Sequence, residues 1–407
     1  MMQYGLFSYE TENIGDEIQS IAARRFLPAV DTYVDRDYVG QWEPQGDTKI
    51  IMNGWFMHPP YAWPPKSESI HPLLVSMYVD QADSRVGEAF FSSESVAYLN
   101  SHGPVGARDM STLEFLRKHG VESYFSGCMT LTLQADPTIE KQDYILAVDL
   151  PEAVVEMLRQ KTKRPVIESS PYFDANMSRE DRFQMAEYFL FLYQSAHAVV
   201  ATRLHAMLPS LALGTPVFLV MDHLKYDSRR YAGLDDLVNK ATDVDYLNDY
   251  NLFDVDNPPA NPDKYLSIRE KLIADVSAFT GYNNDKTFRT VDFSRIAMNE
   301  AYVRLFTRGF HSLNRALLLA GDKAWLQEKY DDLYLHYADL QKNYADLQKN
   351  YADLQKNYEQ LVAVCNLQNQ EKERLSAQLD AVYHSRTWKA GRAVSAPVRL
   401  IKRIIGK

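Results

Sequence analysis

From Tyr330 onward the chain repeats itself every seven residues, and that period commits the segment to one long α-helix. Tyr330, Tyr337, Tyr344, Tyr351 and Tyr358 recur at one position, and Leu333, Leu340, Leu347, Leu354 and Leu361 follow three residues later. These are a and d positions of a heptad repeat, and such a stripe calls for a partner helix because in water it is an aggregation hazard. Three heptads read YADLQKN without change, the mark of tandem duplication, and the pattern thins but continues through Leu375, Leu379 and Val382. At 1.5 Å per residue, residues 325–385 make a rod of roughly 90 Å. The expectation is a parallel coiled coil that makes the protein a homo-oligomer. Its seam is widened by tyrosine hydroxyls that seek water, and Cys365 at an a position meets its symmetry mate as a free thiol.

Before Tyr330 the texture is different. Up to about residue 290, short β-branched and aromatic runs alternate with helical stretches, the pattern of a parallel sheet covered by helices, so the fold class is α/β. Gln3 to Ser8 reads as a strand, Glu10 to Gly15 as a loop, and Asp16 to Phe26 as a helix with Ile18, Ile21, Ala22 and Arg25 at helical spacing. Further strands are expected at Lys49–Asn53, Pro72–Tyr78 and Pro104–Ala107. A second α/β run starts near Asp143 with YILAVDL and RPVIES, followed by a helix over Arg179–Ser195. It ends with a strand to Ala201, a turn at Thr202 and Arg203, a helix Leu204–Leu213 and a strand Pro216–Val220. Gly214 stops that helix and Pro216 opens the strand. The expected organisation is an N-terminal Rossmann-like domain (1–140), a second with closing helices (141–324), the coiled coil (325–385) and a basic amphipathic tail (386–407).

Charge separates the two ends. The net charge is −10, of which the segment after Asp380 contributes +7 (Arg386, Lys389, Arg392, Arg399, Lys402, Arg403, Lys407), leaving −17 on the first 380 residues. An acidic body argues against nucleic-acid binding, whereas the basic end suits an anionic membrane or partner. After Pro397, Val398, Leu400, Ile401, Ile404 and Ile405 fit one side of a short helix ringed by Arg399, Lys402 and Arg403, and Trp388 suits a headgroup interface. No basic segment followed by an apolar run opens the chain, and no run reaches the 18 or so apolar residues of a membrane span. Two cysteines, Cys128 and Cys365, make neither a disulfide framework nor a zinc pair. The expected location is cytoplasmic, with the tail touching the inner face of the plasma membrane.

Chemistry is expected at the carboxyl ends of the strands, where folds of this class bind ligands. Asn13, Gly15 and Asp16 sit between the first strand and helix, where backbone N–H groups face a ligand; an ordinary capped helix start would look the same. GxGxxG and GxxxxGK[ST] are both absent, so dinucleotide and P-loop sites have no support. Arg108 ends a strand, able to grip a carboxylate or phosphate or to pair with Asp109. Cys128, in the small-residue turn SGCMTLTL, reads as an inert thiol. The richest cluster is Thr202-Arg203-Leu204-His205: Arg203 holds a negative group, and His205 gives or takes a proton near neutral pH. Lys225 adds charge after the next strand.

N-x-G-D-E, G-A-R-D-x-x-T, S-G-C-M-T-L-T-L and T-R-L-H-A-x-L-P-x-L-A-L-G-T-P-V, in this order over about residues 1–290, resemble the polysaccharide pyruvyl transferase family. The resemblance implies two Rossmann-like domains of the glycosyltransferase B type. It also implies transfer of a pyruvyl group from phosphoenolpyruvate onto two sugar hydroxyls of a surface polysaccharide or its lipid-linked precursor, forming a cyclic ketal and releasing phosphate. The family's R-L-H triplet falls on Arg203, Leu204 and His205, its N-terminal acid on Asp16, its strand-end arginine on Arg108 and its downstream basic residue on Lys225. Arg108, Arg203 and Lys225 suit the donor's carboxylate and phosphate. His205 suits protonation of the donor methylene or orientation of the leaving phosphate, and Asp16 activation of an acceptor hydroxyl. The scheme requires no metal or other cofactor, and HxxxH and HExxH spacings are absent. Two alternatives are a nucleotide-sugar glycosyltransferase, with Asp35/Asp37, Asp243/Asp245 and Asp254/Asp256 as D-x-D pairs, and a non-catalytic glycan-binding scaffold.

Overall fold

The computed structural model describes residues 2–11, 13–56, 62–80, 86, 90–171, 177–284 and 323–393, with backbone alone over 323–348 and at 352. Two compact units divide the chain, Met1–Gln327 and Glu328–Lys407.

The first unit is built on two sheets whose described pairings are all parallel. Six strands form the first: β1 (Gln3–Ser8), β2 (Thr32–Asp35), β3 (Thr48–Phe56), β4 (Ile70–Val79), β5 (Val105–Ala107) and β6 (Ser123–Phe125), in spatial order β2-β1-β3-β4-β5-β6. The second holds β7 (Ile145–Val148), β8 (Val166–Ser169), β9 (Ala198–Ala201), β10 (Val217–Met221) and β11 (Asn239–Thr242), ordered β11-β10-β9-β7-β8. Strands covered on both faces read as continuous apolar runs, as ILAV, AVVA and VFLVM do. The expected strands are present, some extended by a few residues, and β2, β6 and β11 are added to them. The helix expected from Asp16 runs Gly15–Arg24, that over Arg179–Ser195 has those bounds, and that from Leu204 ends at Ala212, with Gly214 beyond it in the left-handed region at φ +76°.

What positions the site is an apolar cluster shared by both sheets. Ile14, Ile18 and Ile21 around the Gly15–Arg24 helix pack in one buried cluster with Leu131, with Phe189 and Leu190 of the Arg179–Ser195 helix, and with Leu208. Two ion pairs fasten the same helices. Arg24 Nη2 lies 2.7 Å from Glu187 Oε1, and Arg182 Nε lies 2.6 Å from Glu17 Oε1 with both side chains only 2% exposed. The Ile14 N–H also donates to the Pro171 carbonyl at 3.0 Å, tying the β1 loop to the second half.

In the second unit the heptads lie within one helix, Lys323–His384. Tyr351, Leu354, Tyr358 and Leu361 are 69%, 66%, 67% and 63% exposed on the single chain. The Trp388 ring packs against Tyr383 at 5.1 Å between centroids, while the apolar segment expected after Pro397 lies outside the described residues. No described helix is long and apolar enough to cross a membrane.

Removing one partner of a buried ion pair strands the other charge, at a cost of about 3–5 kcal/mol. Glu17→Ala and Arg182→Ala are each expected to lower the denaturant midpoint accordingly, and the double variant by less than their sum. Additive losses would show that the pair does not couple the two helices.

Candidate active site

The carboxyl ends of β9 and β10, and the loops that follow them, supply most of the charged side chains. Arg203 follows β9 in extended backbone as the N-cap of the Leu204–Ala212 helix, and His205 falls in its first turn with φ −87° and ψ 16°, off helical geometry. Pro209 stands four residues on. Lacking an N–H, it cannot donate to the His205 carbonyl, and its ring crowds that carbonyl, which explains the local departure at His205.

Gly15 explains how the first half reaches the imidazole. A Cβ built at Gly15 would lie 2.6 Å from His205 Nδ1 and 3.1 Å from Asn13 Oδ1, so only glycine fits there. Asn13 Oδ1 accepts from the Gly15 N–H at 3.0 Å and closes the loop. On the other ring nitrogen, His205 Nε2 lies 3.8 Å from Cys128 Sγ, which accepts from the Thr130 hydroxyl at 3.2 Å. Burial pushes the Cys128 thiol up, in keeping with an inert sulfur.

Arg108 is 1% exposed. Its guanidinium lies 4.1 Å from the Tyr78 ring centroid, and its Nε is 3.4 Å from Asp109 Oδ2. Its buried Nη2 has no hydrogen-bond acceptor among the described residues. A buried guanidinium nitrogen without an acceptor is costly unless an anion supplies one. Asp109, expected as an alternative partner, serves chiefly as a helix N-cap, its Oδ1 accepting from the Thr112 N–H at 2.8 Å.

A cavity of about 280 Å³ opens at the strand ends of the second sheet, lined by Arg203, Lys225, Arg230, Asp149, Asp222 and Tyr231 among others. Arg203 Nε is held 2.5 Å from Asp149 Oδ2, with Asp149 itself at φ +51°. Arg230, which the sequence reading did not single out, lies 6.0 Å from the Tyr78 ring centroid and 5.8 Å from that of Trp55. Tyr78 thus carries a cation from each half of the unit. His205 has a pKa well below the ordinary imidazole value, first because it is enclosed by protein and then because Arg108 and Arg230 repel its proton. The imidazole is therefore neutral at pH 7, one nitrogen a donor and the other an acceptor.

The structure brings Gly15, with Asn13 bonded to it, against His205 of the second half, sets Arg108 and Arg230 close enough to act on that imidazole, and places Arg203 and Lys225 with Arg230 on the cavity wall. Asp16 has protein partners instead: its Oδ1 lies 3.2 Å from Arg36 Nη1 and accepts from Gln19 at 3.3 Å, and its Oδ2 accepts from Thr11 at 3.0 Å. Among the described residues, Asp222, His223 and Asp243 form a group in which each offers one possible metal-ligand atom, all within 4.8 Å of one another, but His223 Nδ1 and Asp243 Oδ2 already pair at 2.7 Å.

Two parallel α/β sheets, with Arg108 and Arg230 near a histidine at their strand ends, define an α/β protein whose candidate site is cationic. Residues 88–223 match the model of the family described as Polysaccharide pyruvyl transferase, a transferase family, so the chain carries a domain of that family there. The matched span includes Arg108, Arg203 and His205, whereas Asn13, Gly15, Asp16 and Lys225 lie outside it. No curated protein matches the chain.

Because a Cβ at position 15 would overlap the imidazole, Gly15→Ala must displace His205 or the Asn13 loop. We expect a lower melting temperature and a shifted His205 imidazole resonance. An unchanged resonance would show that Gly15 does not set the ring's position.

Proposed function

We propose that the protein transfers a pyruvyl group from phosphoenolpyruvate to two hydroxyls of a sugar in a surface polysaccharide or its lipid-linked precursor. The observation that carries this reading is Arg108 Nη2, buried and without an acceptor among the described residues, near a histidine held neutral by burial first and then by Arg108 and Arg230. Phosphoenolpyruvate brings a carboxylate and a phosphate, enough acceptors for Arg108, Arg203, Arg230 and Lys225 to divide between them. Its negative charge offsets the two arginines that repel the His205 proton, so the imidazole gains a proton as the donor binds.

The protonated His205 then delivers that proton to the donor methylene, and the adjacent carbon is attacked by the first sugar hydroxyl. The second hydroxyl attacks the same carbon as its bond to the phosphate oxygen breaks, closing the ketal. One hydroxyl proton replaces the proton spent on the methyl group, and the other leaves with phosphate. Asn13 and Gly15 hold His205 from the far side, and Asp16 anchors their loop through Arg36.

In this reading the heptad helix gathers several copies, and the basic tail brings them to an anionic cytoplasmic membrane surface where a lipid-linked acceptor is presented. Each basic residue near such a surface contributes about 1 kcal/mol, and linked tails act together. The pathway is the building of cell-envelope polysaccharide.

The test is phosphate release from phosphoenolpyruvate with a panel of lipid-linked glycans. Loss of one preorganised charge contact costs roughly 10²- to 10³-fold in turnover, so Arg203→Ala, His205→Ala and Arg108→Ala are each expected to fall by that factor while remaining folded. Undiminished turnover in a folded variant would remove that residue from the site. Nucleotide release from a nucleotide sugar, with none of phosphate from phosphoenolpyruvate, would assign a glycosyltransferase instead.

A further inference from the structure

The Tyr/Leu stripe of the Lys323–His384 helix lies open on the single chain at Tyr351, Leu354, Tyr358 and Leu361, and its sequence states how a second copy must sit on it. With Tyr351 and Tyr358 at a, Cys365, Lys372 and Leu379 continue the a positions, and Leu361, Gln368, Leu375 and Val382 continue the d positions. The seam is therefore apolar up to Cys365, polar at Gln368 and Lys372, and apolar again from Leu375 to Val382. The positions flanking the seam in the YADLQKN repeats are glutamine and asparagine, which impose no charge repulsion on self-pairing.

We propose that this helix pairs with the same helix of a second copy, parallel and in register, and that the polar layers at Gln368 and Lys372 fix that register. The inference rests on assembly through the heptads and adds orientation and alignment to it.

Three identical heptads cannot choose an alignment, because a slip of one heptad, roughly 10 Å along the axis, restores the same contacts within them. The slip is penalised further on. It sets Lys372 level with Cys365 and Leu379 of the other copy, and Gln368 level with Leu361 and Leu375. An antiparallel pair with full overlap is worse, since Gln368 and Lys372 would then face the Tyr/Leu heptads around 333–340 and bury an amine against apolar layers. Only the parallel, unslipped pair puts Gln368 opposite Gln368 and leaves each Lys372 beside Glu371, at the flanking g position, of the other copy. In the single helix Glu371 bonds Arg374 at 2.5 and 2.6 Å, an exposed pair that is readily exchanged for the new one. This is the known use of a lone polar seam residue, giving up stability for a unique pairing.

Cys365 is exposed on the single chain and reports the alignment directly. In the proposed pair it faces Cys365 of the other copy across an a layer, whereas in the slipped or antiparallel arrangements the two sulfurs lie more than a helical turn apart. The experiment is light scattering on the full chain, then mild oxidation by dioxygen with copper phenanthroline. Two thiols become one disulfide, and their two electrons and two protons pass to dioxygen. The expected result is an oligomer in which nearly all chains become covalent dimers, and none in Cys365→Ser. An oligomer without the crosslink overturns the alignment while leaving assembly standing. A monomer overturns both.

Discussion

The site depends on one close approach, that of Gly15 to His205. These residues lie at the starts of helices that follow strands of different sheets, and a single added carbon would fall 2.6 Å from the imidazole nitrogen. Such an approach lasts only if the sheets are held together elsewhere. The cluster running from Ile18 to Leu208 and the buried Arg182–Glu17 pair do so. The first helix therefore has two tasks. Its apolar face binds the halves together, and its first residue, by having no side chain, admits the histidine.

Charge then determines what the histidine can be. Enclosure and the nearby Arg108 and Arg230 remove its proton, and the same cations await an anion. The protein's own groups thus leave two mismatches, a guanidinium nitrogen with no acceptor among the described residues and an imidazole stripped of its proton. In the proposed reaction an anionic donor would correct both at once, and such coupling would arm the acid only when the donor is bound.

Where a rule of local chemistry applied, the sequence was legible. Gln3–Ser8, the Arg179–Ser195 helix and the Gly214 stop follow from apolar runs, helical spacing and left-handed capping. The strands β2 (TYVD), β6 (SYF) and β11 (NKAT) are short and mixed in polarity, and tertiary pairing rather than local pattern makes them strands. In the site, Arg203, His205 and Arg108 were readable because each sits at a strand end ahead of a helix. Arg230 was not, since its role comes from stacking on Trp55 and Tyr78, far off in sequence. Asp16 sits in the expected loop, but the Arg36 that engages it is twenty residues away and gives no local signal. Pro209, four residues after His205, is the sequence signal for the altered backbone there.

The central claim is that donor binding and His205 protonation are one event. The direct measurement is calorimetric titration of the full chain with phosphoenolpyruvate at neutral pH in two buffers of different ionisation enthalpy. A free-state pKa well below 6.5, raised by the bound anion, predicts net proton uptake that disappears in His205→Ala. Binding with no proton uptake, or uptake unchanged in that variant, would contradict the account.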